Sequence, residues 1–451
     1  MVVNAAVARS RYFPLLITFC LIVIFVALHN IQTVKIENVE RIMLDVGNKL
    51  PGAYLRDIKI NTSNEIFCKL NYGLPTQLKY TKNDLAGSPE LDQDSPFQVL
   101  YDVIEGQPRQ IDPGVTYATH LTKDFVMYLT EVVRQWEGPI SVAAYVSDGD
   151  PKVILDSILH FCYCIPEMYK ISLHLVFRKD SHPSYFSIAL LQPPDTCDIQ
   201  NLLKTNSDYN SLSNNSDNSH KKDIKNWYPI NVCRNVARQS AYTEFILVCD
   251  VELMPSEGLA NRFIRMLENQ RCVEPNCDRR VFVVPVFEVA TSEDPPKTKK
   301  ELVRLISLNK AVYFHKYSCP HCQKFPGLEQ WKTSDPGEVI KPLLSVKREV
   351  PYHRWEPVYI GTKNEPMYNE RLSWEGFQDK MLQMLEMCLA NYQLLILDGA
   401  FLVHWPGIKK SKRKDEPWRA PFIRRNQGYY DILLRNISGK YPRNLRCRSK
   451  R

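Results

Sequence analysis

The chain has 451 residues, of which 44% are hydrophobic and 24% charged, enough for a large globular core and unlike a disordered composition. Its formal net charge of +8 is thinly spread, which argues against the dense Lys/Arg stripe with stacking aromatics that nucleic-acid binding requires. The densest basic run, Lys409, Lys410, Lys412, Arg413 and Lys414, leads directly into Asp415 and Glu416; it reads as a solvated loop or as a loop facing an anionic substrate.

Residues 12–28 (YFPLLITFCLIVIFVAL) carry no charge and reach the short end of what spans a bilayer. Arg9 and Arg11 precede them, so the spacing predicts a signal anchor with residues 1–11 in the cytoplasm. A cleaved signal peptide is the rival reading, but residues 27–34 (ALHNIQTV) offer no clear small-x-small cleavage site. A short span also suits the thinner membranes of the early secretory pathway. Of 13 cysteines, only Cys20 lies in the span; the other twelve begin at Cys68, an even number that fits an oxidising lumen without giving the pairing. Asn61, Asn214 and Asn436 head N-x-Ser/Thr sequons that a lumenal body would expose to glycosylation.

Residues 29–95 lack sustained periodicity and read as a stem, ordered in part around Cys68. From residue 96 the pattern becomes strand and helix in alternation. Residues 140–146 (ISVAAYV) read as a buried strand, 151–164 as a helix and 171–177 (ISLHLVF) as a strand. Residues 205–222 are too polar to bury anything and read as a disordered loop. Then come a helix over 232–241, a strand over 244–249, an amphipathic helix over 258–270 and a strand over 280–286. Such alternation predicts an α/β body over 96–451, with a mostly parallel mixed sheet flanked by helices.

The segment that carries chemistry is 245–256 (FILVCDVELMPS). An apolar strand ends in Asp250-Val251-Glu252 and a Pro breaks the run; carboxylates at i and i+2 on a strand share a face. At the carboxyl end of a buried strand they project into the crevice where α/β sheets bind ligands. There they could hold a divalent cation that bridges a diphosphate leaving group, or they are ordinary solvated acids. A second apolar run, 394–404, ends on His404; imidazole there is a metal ligand or simply a hydrogen-bonded strand end. Cys319-Pro320-His321-Cys322 spells a dithiol motif. Pro326-Gly327 would break a helix after it and no thioredoxin-like domain surrounds it, so a structural disulfide is the reading here.

Several blocks stand in one order from about Tyr117 to Cys447. They are Cys233-Arg234-Asn235-Val236-Ala237-Arg238, Asp250 to Leu259, Val284-Pro285-Val286-Phe287-Glu288 and the Cys319–Cys322 motif. Trp355-Glu356-Pro357-Val358-Tyr359, Tyr368-Asn369-Glu370-Arg371, Gly399 to His404 and Tyr441-Pro442 follow. Together they resemble the LARGE-type glucuronyltransferase family, in particular its β-1,4-glucuronyltransferase branch. The resemblance implies a GT-A nucleotide-sugar fold, a Mn²⁺ ion, UDP-glucuronic acid as donor, inversion, and a xylose-terminated glycan acceptor such as that on α-dystroglycan. It implies a Golgi membrane enzyme whose Asp250, Glu252 and His404 hold the metal. Arg234, Arg238 and Arg371 lie inside the matched blocks and would pair with the diphosphate or the donor carboxylate. Gly376-Phe377-Gln378-Asp379 is similar to the Gly-x-Glu-Asp segment of other inverting transferases, which makes Asp379 the candidate general base; otherwise it is an exposed first-turn helix acid. Two departures stand out. Glu252 replaces the second Asp of Asp-x-Asp, and Gln378-Asp379-Lys380 replaces an Asn followed by a basic residue. They support an alternative reading, a catalytically impaired transferase fold that binds glycan or nucleotide sugar.

Overall fold

The computed structural model describes residues 66–109, 112–147, 149–181, 197, 227–269, 279–405, 407–408 and 416–448. The chain divides into two units, Met1–Leu50 and Pro51–Arg451; the first lies outside the described residues. So do the expected anchor at 12–28, the polar loop at 205–222, Asn61 and Asn214. Among the described residues no helix is long and apolar enough to cross a membrane.

In chain order the strands begin with β1 (Lys69–Leu70), β2 (Leu85–Ala86), β3 (Phe97–Glu105) and β4 (Val115–Leu121). Helix α1 (Leu129–Gln135), β5 (Ile140–Val146), α2 (Lys152–Cys164) and β6 (Ile171–Arg178) follow. Then come α3 (Ile230–Gln239), β7 (Phe245–Val248), β8 (Leu253–Pro255), α4 (Leu259–Asn269), β9 (Arg280–Val283) and β10 (Val286–Val289). Next are α5 (Lys299–Ser307), β11 (Ala311–Tyr313), α6 (Pro320–Gln323), α7 (Leu328–Thr333), β12 (Lys341–Val346) and β13 (Tyr359–Gly361). The body closes with α8 (Met381–Leu389), β14 (Gln393–Asp398), β15 (Leu402–His404) and α9 (Ala420–Lys440).

Two sheets result. The larger runs β1-β3-β6-β5-β4-β7-β13-β9-β14-β12, with β2 on β3; the smaller runs β11-β10-β15-β8. The larger sheet is mixed, as expected, but its antiparallel pairings outnumber its parallel ones. β6, β5, β4 and β7 form a parallel centre, while β3 and β13 flank it antiparallel. The centre is parallel because helical crossovers join its strands, and every residue of β4 and β5 is buried as a two-sided strand must be. Alternate side chains face opposite layers. Val142 and Leu173 pack with Ile154, Leu155 and Ile158 of α2, whereas Ala143 and Val176 pack with Val232 and Val236 of α3.

Three boundaries differ from the sequence reading. Residues 66–95, expected as stem, belong to the folded body, because β1 and β2 pair with β3 and Cys68 is bridged to Cys162. The expected strand over 280–286 is two strands in different sheets, broken at Val284-Pro285, where Pro offers no N–H to a ladder. The apolar run over 394–404 is likewise two strands, parted at Gly399, whose φ of +78° only glycine adopts readily. Further disulfides join Cys164 to Cys197, Cys319 to Cys322 and Cys388 to Cys447, while Cys233 and Cys249 are free and buried.

Candidate active site

A cavity of about 1270 Å³ opens where β4, β5 and β7 end. These are carboxyl ends of parallel strands, the usual ligand side of an α/β sheet. β4 delivers His120, and the turn after β7 delivers Asp250 and Glu252. His404 ends β15, and α3 supplies Arg234.

Asp250 and Glu252 do not sit on a strand, as the i, i+2 argument expected; they occupy the turn between β7 and β8. Tyr117 fixes that turn, its hydroxyl donating to the Asp250 carbonyl at 3.1 Å and the Leu253 carbonyl at 2.8 Å. β8 then pairs with β15 in a register that sets His404 opposite Leu253. This brings His404 Nε2 to 3.3 Å from Glu252 Oε1. Both ring nitrogens of His404 are buried without a hydrogen bond, and so is Asp250 Oδ1. His120 Nε2 lies 3.3 Å from Asp250 Oδ1 without hydrogen-bond alignment, and its Nδ1 meets the Tyr228 hydroxyl at 2.7 Å. Burial pushes the Asp250 carboxyl up, but Lys380, His120 and Arg234 together overcome it and hold the group well below the usual carboxylate range.

Two carboxylates and an imidazole suit Mn²⁺, and donor atoms buried without hydrogen bonds are what a bound cation would satisfy. The three side chains converge on one cavity, but they are not drawn tightly together. Among the described residues, the His, Cys, Asp and Glu ligand atoms grouped within 4.8 Å of one another are those of Cys319, His321 and Cys322, whose sulfurs are joined in the disulfide.

The three expected arginines part company. Arg234 lines the cavity, with Nη1 2.5 Å from Asp379 Oδ2 and Nη2 3.5 Å from Asp250 Oδ1. Burial disfavours its charge, yet Asp379 and Asp250 more than offset this and raise its proton affinity. Arg238 lies one turn further along α3 and does not line the cavity; its guanidinium donates to the carbonyls of Thr362, Glu365 and Pro366. Arg371 also lies outside the lining, its backbone joined to Asn369 and Arg425. The rise of about 6 Å per four helical residues sets Arg238 apart from Arg234 and outside the lining.

Asp379 lines the cavity just before α8, after Phe377 and Gln378, each with a left-handed φ of 59°. Two such non-glycine residues in succession are strained, as segments at functional sites often are. Asp379 also locks Arg234, a role the base assignment did not foresee. Lining residues that the sequence reading missed include Tyr228, Arg354, Glu356, Lys380 and Arg419. Glu356 stood in plain view inside the Trp-Glu-Pro block, while Tyr228 left no signal. Asn436 is exposed on α9.

A cavity at the strand ends of a mixed α/β sheet that gathers carboxylates, an imidazole and the cations Arg234 and Lys380 has the place and the chemistry of an enzyme active site. The chain belongs to the family described as glycosyl-transferase for dystroglycan, whose pattern matches residues 114–442. It is a glycosyltransferase. It is 27% identical to β-1,4-glucuronyltransferase 1 of Mus musculus over 79% of this chain and 83% of that one. It is 29% identical to the Danio rerio protein of the same name, over 72% and 73%. It is 22% identical to the xylosyl- and glucuronyltransferase LARGE2s of Gallus gallus, over 65% of this chain and 32% of that one. A crystal structure of GalNAc-T7 with UDP, GalNAc and Mn²⁺ overlaps at a TM-score of 0.31 and 7% identity, over 72% of this chain and 50% of that one, too weakly to bear on the fold.

Proposed function

We propose that this chain transfers glucuronic acid from UDP-glucuronic acid to a xylose-terminated glycan, such as that of α-dystroglycan, with inversion and with Mn²⁺ as cofactor. The observation that carries the reading is the meeting of Asp250, Glu252 and His404 in a cavity that also holds Arg234 and Lys380. The two carboxylates and the imidazole would hold the cation, which supplies charge neutralisation at the diphosphate leaving group. Arg234, held in place by Asp379 and Asn231, adds fixed positive charge beside that position. We read the body as a GT-A fold. Residues 12–28 would anchor it in the Golgi membrane and residues 29–65 would form the lumenal stem, with Asn61, Asn214 and Asn436 open to glycosylation.

The test uses the full-length protein in detergent with UDP-glucuronic acid, a β-xyloside acceptor and graded Mn²⁺. Asp250→Asn removes a charged ligand and is expected to abolish transfer while leaving the melting temperature within a few degrees. Unchanged, still metal-dependent turnover in that variant rules the metal assignment out. Turnover of another UDP-sugar in preference rules out the donor.

A further inference from the structure

Inverting transfer needs a group that takes the acceptor's proton as the new bond forms. Among the described residues seven carboxylates line the cavity, and six are otherwise engaged or badly placed. Asp250 and Glu252 belong to the proposed cation site. Asp379 Oδ2 is locked to Arg234. Glu416 is paired with Arg419. Glu375 is buried, and its Oε1 accepts the Tyr228 N–H at 3.0 Å. Asp124 is exposed, where a carboxylate is hydrated rather than presented.

Glu356 remains. Its side chain is half-buried, lines the cavity and makes no hydrogen bond or ion pair among the described residues. Its backbone is fixed on every side. The Glu356 N–H donates to the Cys322 carbonyl at 2.8 Å, inside the Cys319–Cys322 disulfide turn. The preceding Trp355 is buried; its N–H donates to Tyr352 and its carbonyl accepts from Arg348 Nε at 2.6 Å. Val358, two residues on, accepts from the Val284 N–H at 3.0 Å. A carboxylate without a competing partner, on a segment held by backbone hydrogen bonds, is what preorganised proton transfer requires.

Resting on the transferase reading above, we propose that Glu356 is the general base of the transfer. Its carboxylate takes the proton of the acceptor hydroxyl as that oxygen's electron pair bonds to the sugar's anomeric carbon. The bond from that carbon to UDP breaks, and UDP leaves with the electron pair. Glu356 then returns the proton to solvent. The groups around it suit the task. Burial first, then Asp379, push its carboxyl above the ordinary range, and Lys380, Arg348 and Arg234 restrain the rise. A base is most effective when its proton affinity approaches the working pH.

The experiment compares Glu356→Gln, Glu356→Asp and Asp379→Asn in the full-length protein with UDP-glucuronic acid and a β-xyloside. Glu356→Gln is expected to lower kcat by about 10²–10⁴-fold with the KM for donor little changed, and to remove the acidic limb of the kcat/KM profile. Glu356→Asp, one methylene shorter, should recover part of the loss. Asp379→Asn, which frees Arg234, should instead raise the donor KM and keep the acidic limb. A Glu356→Gln enzyme with near-parental kcat overturns the proposal, as does an acidic limb that disappears with Asp379. If the parent prefers another UDP-sugar, only the donor reading fails, and the comparison runs with that sugar. A parent inactive with every UDP-sugar overturns both.

Discussion

Arg234 and Arg238 occupy neighbouring turns of one helix and do different work. Arg238 is 2% exposed and its partner Glu365 is 3% exposed. Removing one partner of a buried, hydrogen-bonded pair costs about 3–5 kcal/mol. Arg238→Ala is therefore expected to lower unfolding free energy by about that amount, read by denaturant titration, with donor affinity of the folded protein unchanged. Selective loss of UDP-glucuronic acid affinity at undiminished stability would restore it to the site. His174 makes a second case. It is fully buried on β6; its Nδ1 accepts the Asp102 N–H at 3.0 Å and its Nε2 meets Ser141 Oγ at 3.3 Å. The Asp102 carboxylate lies 3.6 Å away, but an Nδ1 already accepting a hydrogen bond carries no proton to pair with it. Burial pushes the ring's pKa down to about 3. Above roughly pH 6.5 the ring is neutral folded or unfolded; below it only the unfolded chain gains the proton, so stability falls with pH until about pH 3. The loss from this residue between pH 6.5 and 5 is about 2 kcal/mol. His174→Asn, which does not titrate, should show a shallower decline; parallel declines would remove His174 as the cause.

At the scale of elements, β5, α2, β6, α3, β7 and α4 were legible because their apolar spacing is unbroken and their ends carry Pro, Gly or polar residues; β8, three residues ending on Pro255, passed for a turn. α9 was not. It runs 21 residues through two glycines and buries only Phe422, Asn426, Tyr430 and Ile437. Its function is local. Asn426 bonds Ser373 and the Phe377 carbonyl, holding the loop that carries Trp374, Glu375 and Phe377 to the cavity. Gly376 lies so close that a Cβ there would fall 2.2 Å from Asn426 Cγ. The Cys388–Cys447 disulfide ties the segment after α9 back to α8 across 59 residues. A loop of that length gives a chain-entropy stabilisation of about 4 kcal/mol. The Cys388→Ser, Cys447→Ser double variant should lose most of it in equilibrium unfolding; a loss under about 1 kcal/mol would mean the unfolded chain is not constrained this way.

For the whole molecule, the residues of the site were easier to read than their geometry. Asp250, Glu252, His404, Arg234 and Asp379 all line one cavity, as their residue types suggested. Local pattern could not show that the sheet would be split, because Val284-Pro285 and Gly399 look like ordinary irregularities until two sheets must be fed from single apolar runs. Nor could it distinguish Arg234 from Arg238, since distance along a helix axis matters only once the cavity has a place. The same division of the sheet bears on how the protein is made. Glu252 and His404 are 152 residues apart in the chain, yet β8, which follows Glu252, pairs only with β15 among the described strands. At about 5–20 residues per second, a ribosome delivers the first on the order of ten seconds before the second. Throughout that interval β8 lacks the one strand it pairs with among the described strands, and an unpaired edge is the kind of surface that nascent chains must keep from one another. The stretch of synthesis between Glu252 and His404 is thus the one in which this edge stays open, and ribosome-bound chains halted inside it are expected to aggregate more readily than chains released after His404.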